Sequence, residues 1–221
     1  MQKSREAMSA SLRALAKVED VPPVTEELCI YCFEVLLARL QGVSAPSLQG
    51  PPSSGLARRK VPALFVSWHS PVGLRGCMGS MQPVELERGL ADCALSSALS
   101  DCRFPPITLK EVKSLTCRVS VLHTFETCQD LWDWKVGLHG IAISFTASFC
   151  SICPCSTCRY TATLLPEVIL EEGMTQEAAL DSAIRKAGYR GFCMSRLMSS
   201  VETTRFQSAT CDLPFQSFAN R

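Results

Sequence analysis

Between residues 25 and 40 apolar side chains recur at Leu28, Tyr31, Cys32, Val35, Leu36 and Leu40. Steps of three and four predict an amphipathic helix with one face on a core. Cys29 and Cys32 fall inside that helix, where core packing outweighs a redox Cys-x-x-Cys reading. The periodicity then stops, and 41–61 collects Gly42, Pro46, Gly50, Pro51, Pro52, Ser53, Ser54 and Gly55 before Arg58, Arg59 and Lys60. That composition predicts a long surface loop, its basic cluster read as solvated rather than as a nuclear address. Residues 63–68, with Phe65, Val66 and Trp68, and 74–78 predict two strands of a hairpin around 69–73.

Pro83 suits the first turn of a helix through Ser100, with Leu86, Leu90, Ala94 and Leu99 facing inward. Phe104-Pro105-Pro106 stops it. A short helix from Thr108, a strand over 115–122, turns around Gly137 and Gly140, and a strand over 141–145 follow. A strand over 160–164 precedes a helix over 175–187, with Thr175 as hydroxyl N-cap and Gly188 just past its end. A strand over 201–208 leads to the apolar segment 213–218, expected to dock on the body. Helices and strands mix without regular alternation, which predicts an α+β fold, and no internal repeat occurs.

The 221 residues are 47% hydrophobic and 19% charged, enough to bury a core without a disulfide or cofactor. With 22 basic and 21 acidic residues the net charge is +1, so nucleic acid and anionic lipid are not the expected partners. No stretch approaches the length of apolar residues that spans a bilayer. The start of the chain, 1–23, mixes Lys3, Arg5, Glu6, Arg13, Lys17, Glu19 and Asp20 without a signal-peptide core and reads as a flexible tail. Thirteen cysteines without an export signal read as reduced thiols of an intracellular protein, cytoplasmic or nuclear.

One short segment, Leu74-Arg75-Gly76-Cys77-Met78-Gly79, is similar to the hallmark hexapeptide of the AMMECR family, which carries Ile where this chain has Met78. In the family's order follow Arg103-Phe104-Pro105-Pro106, Asp133-Trp134-Lys135-Val136-Gly137-Leu138-His139-Gly140-Ile141, Thr161 to Val168, Arg185-Lys186-Ala187-Gly188-Tyr189 and Thr204-Arg205-Phe206. The resemblance covers 24–221. It implies an α+β domain of two unequal subdomains, a mixed and largely antiparallel sheet flanked by helices, and the hexapeptide at a cleft between the subdomains. The family's molecular activity is not established; prokaryotic relatives resemble a component encoded beside Memo-like and radical-SAM proteins, which is an association and not a chemistry.

In an extended hexapeptide Arg75 and Cys77 share one face while Leu74, Gly76 and Met78 take the other, and Gly79 continues the alternation. A guanidinium beside a thiol favours thiolate, and Gly76 admits a ligand or another backbone, so the pair is a candidate nucleophile with an anion clamp. The competing reading makes Cys77 a small buried hydrophobe and Arg75 the partner of an acid. His139, in a turn, is a candidate base, against a role in holding that turn by a local hydrogen bond; His69 and His123 have less around them. Zinc-hydrolase, nucleophile-elbow, Walker and dinucleotide motifs do not occur.

Cys150, Cys153, Cys155 and Cys158 invite a metal reading, but only Pro154 separates the two pairs, too short a span for facing zinc knuckles. Residues 147–158 also interrupt the family resemblance, and their composition is what a pyrimidine-rich tract gives on translation. An insertion or retained intron ranks first, labile soft-metal binding second and structural zinc third. No cofactor is implied. Two functions from different classes remain: a binding or adaptor module that captures a protein segment or a small anionic ligand, and an enzyme or enzyme subunit with Cys77 as reactive thiol.

Overall fold

Thr25 is extended and Gly42 left-handed (φ 72°), and between them runs α1, Glu26–Gln41. Two glutamates in its first turn and Arg39 in its last complement the helix dipole. Of the predicted stripe Leu28, Tyr31, Cys32, Val35 and Leu36 are buried and Leu40 half-buried, and Cys29 and Phe33 are buried with them. The structure, a computed structural model, describes residues 21–48, 56–147, 158–191, 197–198 and 200–221. Most of the expected tail, 49–55 of the long loop, and Cys150, Cys153 and Cys155 therefore lie outside the described residues.

The loop is not structureless at its end: a 3-10 turn, Leu56–Arg58, leads into β1, Lys60–Val61, which pairs with β4, Val84–Glu85. The hairpin is longer than expected, β2 being Ala63–Ser70 and β3 Gly73–Ser80. Its tight turn rests on Gly73 at φ 127°, a conformation strained for any side chain. The second long helix, α2, is Leu86–Leu99, so Pro83 precedes β4 rather than opening the helix. A 3-10 turn, Glu111–Ser114, precedes β5, Thr116–Thr127. Then come β6, Gly140–Ala147; β7, Cys158–Leu164; α3, Pro166–Glu171; α4, Gln176–Lys186; β8, Glu202–Pro214; and α5, Phe215–Ala219. Thr175 caps α4 as expected, its hydroxyl accepting from the Ala178 N–H at 3.2 Å. The short helix α3 had no sequence forecast.

The chain forms two compact units. The first takes residues up to His123 together with Ala209–Arg221, and its strands lie in the order β3, β2, β5, β8. Helices α1 and α2 cover one face through Leu64, Val66, Trp68, Cys117, Val119 and Val121, all fully buried. Trp68 sits among them because its indole N–H donates to the Ala94 carbonyl of α2 at 3.1 Å. Phe215 and Phe218 pack their rings on Phe33, 5.6 and 5.1 Å between centroids, which docks the carboxyl-terminal segment. The second unit, Thr124–Ser208, has β8, β6 and β7 as neighbours, with a core that includes Ile141, Ile143, Ile169, Leu180 and Ile184. The pairings β1–β4, β2–β3, β2–β5, β6–β7 and β6–β8 are all antiparallel, in keeping with the α+β expectation. Ala147 and Cys158 are cross-strand partners at one end of β6 and β7.

Candidate functional site

The hexapeptide occupies most of β3, the edge strand of its sheet, and each of its residues has a separate reason to be what it is. Gly76 lies against α2: a methyl group there would overlap the Ser97 carbonyl, so the close approach that the sequence allows is to a backbone, the helix's own. Gly79 stands across from Phe65, whose ring occupies the space a side chain would need. Leu74 and Met78, 38% and 39% exposed, are large apolar side chains left in solvent.

The register shifts between Trp68 and His69, and the ladder skips Arg75. Strict alternation therefore does not extend to Arg75, because a bulge re-aims the side chain it carries. The Arg75 guanidinium instead makes a two-pronged contact with Glu111, Nε to Oε1 and Nη2 to Oε2 at 3.1 Å. Its third nitrogen, Nη1, is buried without a hydrogen-bond partner. Its carbon lies 5.9 Å from the Phe104 ring centre, and that of Arg103 lies 5.4 Å from the same ring. The anion clamp expected of Arg75 thus already holds a carboxylate, supplied within the same unit.

Cys77 is half-buried, and its backbone is capped from the edge side. Asp101 accepts the Cys77 N–H at 3.0 Å, and Arg103 Nη2 donates to the Cys77 carbonyl at 3.3 Å. Arg103 also grips Asp101 by Nε at 2.9 Å and Nη2 at 2.6 Å. Together the two side chains offer one acceptor and one donor to β3, as a neighbouring strand would, and so close part of an open sheet edge. Asp101 is 5% exposed and Arg103 52%. The Arg103 hydrogen bonds, helped by the Cys77 N–H and opposed by burial, hold the Asp101 carboxyl well below the usual carboxylate range. In the sequence Arg103 figures only in the family-like segment Arg103-Phe104-Pro105-Pro106; its place right after α2, which packs on β3, was the available signal for this role.

His139 belongs to the second unit, whereas Cys77 belongs to the first. The imidazole is buried, and its Nδ1 accepts the Lys135 N–H at 3.0 Å. Burial first, then the neighbouring Arg205, lowers its pKa, so it stays neutral and ties its own turn. Arg205 binds Asp133 at 2.5 Å and Glu126 at 2.8 Å beside it. Of the four clustered cysteines only Cys158 is described, at the start of β7. Among the described residues no three His, Cys, Asp or Glu side chains are grouped to hold a metal, and no helix is long and apolar enough to cross a membrane.

A sequence model of the AMMECR1 family matches residues 29–211. An uncharacterised protein of Arabidopsis thaliana is 39% identical over 197 residues, covering 87% of this chain and 86% of its own. One from Schizosaccharomyces pombe is 35% identical, covering 87% and 94%. The crystal structure of an uncharacterised protein from Pyrococcus horikoshii superposes with a TM-score of 0.69 at 25% identity, over 86% of this chain and 92% of that one.

Proposed function

The chain belongs to the AMMECR1 family, and on that premise we propose that it is a binding module whose contact surface is the outer edge of β3, taking an apolar segment of a partner protein. The observation that carries this reading is the exposure of Leu74 and Met78 on either side of a backbone held rigid by Asp101 and Arg103. Exposed apolar side chains on a fixed strand suit association, since their burial is favourable and little ordering is needed. A small anionic ligand is the weaker occupant, because both guanidiniums nearby already hold carboxylates. Nine described cysteines are free thiols, which suits a reducing compartment, the cytoplasm or nucleus.

The test replaces Leu74 and Met78 together by Glu and compares affinity capture from cells with that of the unaltered protein. Arg75→Ala is a poorer control, since it strips Glu111 of its partner and perturbs the fold. Loss of a defined set of proteins with an unchanged melting temperature supports the reading; recovery of the same set by both forms removes β3 from it.

A further inference from the structure

The hydrogen bonds at Cys77 identify a second set of side chains. Its N–H and carbonyl point away from β2, toward Asp101 and Arg103, so Cys77 and its partner Ser67 form a non-hydrogen-bonded pair of the antiparallel ladder. Such pairs bring Cα atoms to about 4.5 Å and set the side chains against each other on one face. Two residues along β2 and on the same face stands His69, whose Nε2 lies 2.9 Å from the Ser67 hydroxyl oxygen. Arg118, across from Ser67 on β5, ion-pairs with Asp212 at 2.6 Å. Cys77 and Ser67 thus face each other across β3 and β2, and the imidazole stands next to the hydroxyl along β2.

We propose that Cys77, Ser67 and His69 form a proton relay that makes Cys77 a nucleophile toward an electrophilic carbon. With His69 protonated at Nδ1, the Ser67 hydroxyl donates to Nε2. The thiol proton passes to Ser67 as the Ser67 proton passes to His69, leaving thiolate and imidazolium. The sulfur pair then forms the S–C bond and the leaving group departs with its bonding pair. The charged groups about this row are Arg103 with Asp101, Arg75 with Glu111, and Arg118 with Asp212, each a paired cation and anion. Arg103 donates to the Cys77 carbonyl while its charge is matched by Asp101, so the relay and not a lone cation is what activates the thiol. The relay uses His69 where the sequence pointed to His139, and it stands whether or not the β3 edge binds a protein.

The experiment is site-resolved alkylation of the full chain by iodoacetamide, read by mass on the Cys77 peptide between about pH 6 and pH 9. Cys102, exposed, reports reagent access in the same digest. The relay predicts that Cys77 reacts at neutral pH, that Ser67→Ala and His69→Gln each slow it about tenfold there, and that Ser67→Thr keeps the rate. Melting curves show whether each variant folds, and Ser67→Ala carries the test if His69→Gln does not. A wild-type rate that rises only above about pH 8.5, or equal rates in wild type and folded Ser67→Ala, would overturn it.

Discussion

The carboxylate of Asp101 lies 3.0 Å from the backbone nitrogen of Cys77 and accepts its hydrogen bond. With Arg103 on the adjoining carbonyl, a salt bridge does for an edge strand what a strand partner does in the middle of a sheet. Asp101→Ala leaves that N–H and Arg103 without their acceptor, and is expected to cost about 2 kcal/mol. Arg103→Ala, removing a half-exposed side chain, is expected to cost about 1 kcal/mol. Denaturant midpoints measure both, and negligible losses in both variants would leave the cap without energetic weight.

Gly76 and Gly79 separate two kinds of crowding. At Gly76 the obstacle is the Ser97 carbonyl, part of a helix backbone that cannot move alone; at Gly79 it is the Phe65 ring together with the Leu64 carbonyl. Gly76→Ala is therefore expected to lose about 3 kcal/mol and Gly79→Ala about 2. Thermal unfolding of the two variants side by side checks the order.

Acid should weaken the fold in two steps. His139 has a folded pKa below its unfolded value, so its contribution is present above about pH 6.5 and is lost as pH falls through the folded pKa. The carboxyl of Asp101, also depressed, contributes above about pH 4 and is lost below it. His139→Asn, which keeps an acceptor for Lys135, should flatten the first step except for a share from His123, whose pKa burial also lowers. Asp101→Asn should flatten the second. Denaturant midpoints at about pH 7.5, 5.5 and 3.5 read both steps.

Local rules made much of the molecule legible. Helix α1, the Thr175 cap of α4 and the hairpin follow from periodicity, a hydroxyl and turn residues within a few positions. What escaped was long-range. No local pattern tells that Lys60–Val61 finds Val84–Glu85, or that β5 and β8 run on past their apolar stretches. The site shows the same division. Hexapeptide residues were singled out in the sequence, but the bulge at Arg75 and the partnerships of Asp101, Glu111 and His69 depend on pairing register and on a helix end arriving from elsewhere.

The β3 edge is the surface on which we propose that another protein segment lands. A photo-reactive residue placed at Met78 in cells tests it directly, with Leu170, another large exposed apolar side chain but in the second unit, as the comparison position. A defined partner peptide is expected to cross-link from Met78, to be absent from Leu170 and to be lost when Leu74 is also replaced by Glu. The same cross-links from both positions, or none from Met78, would contradict it.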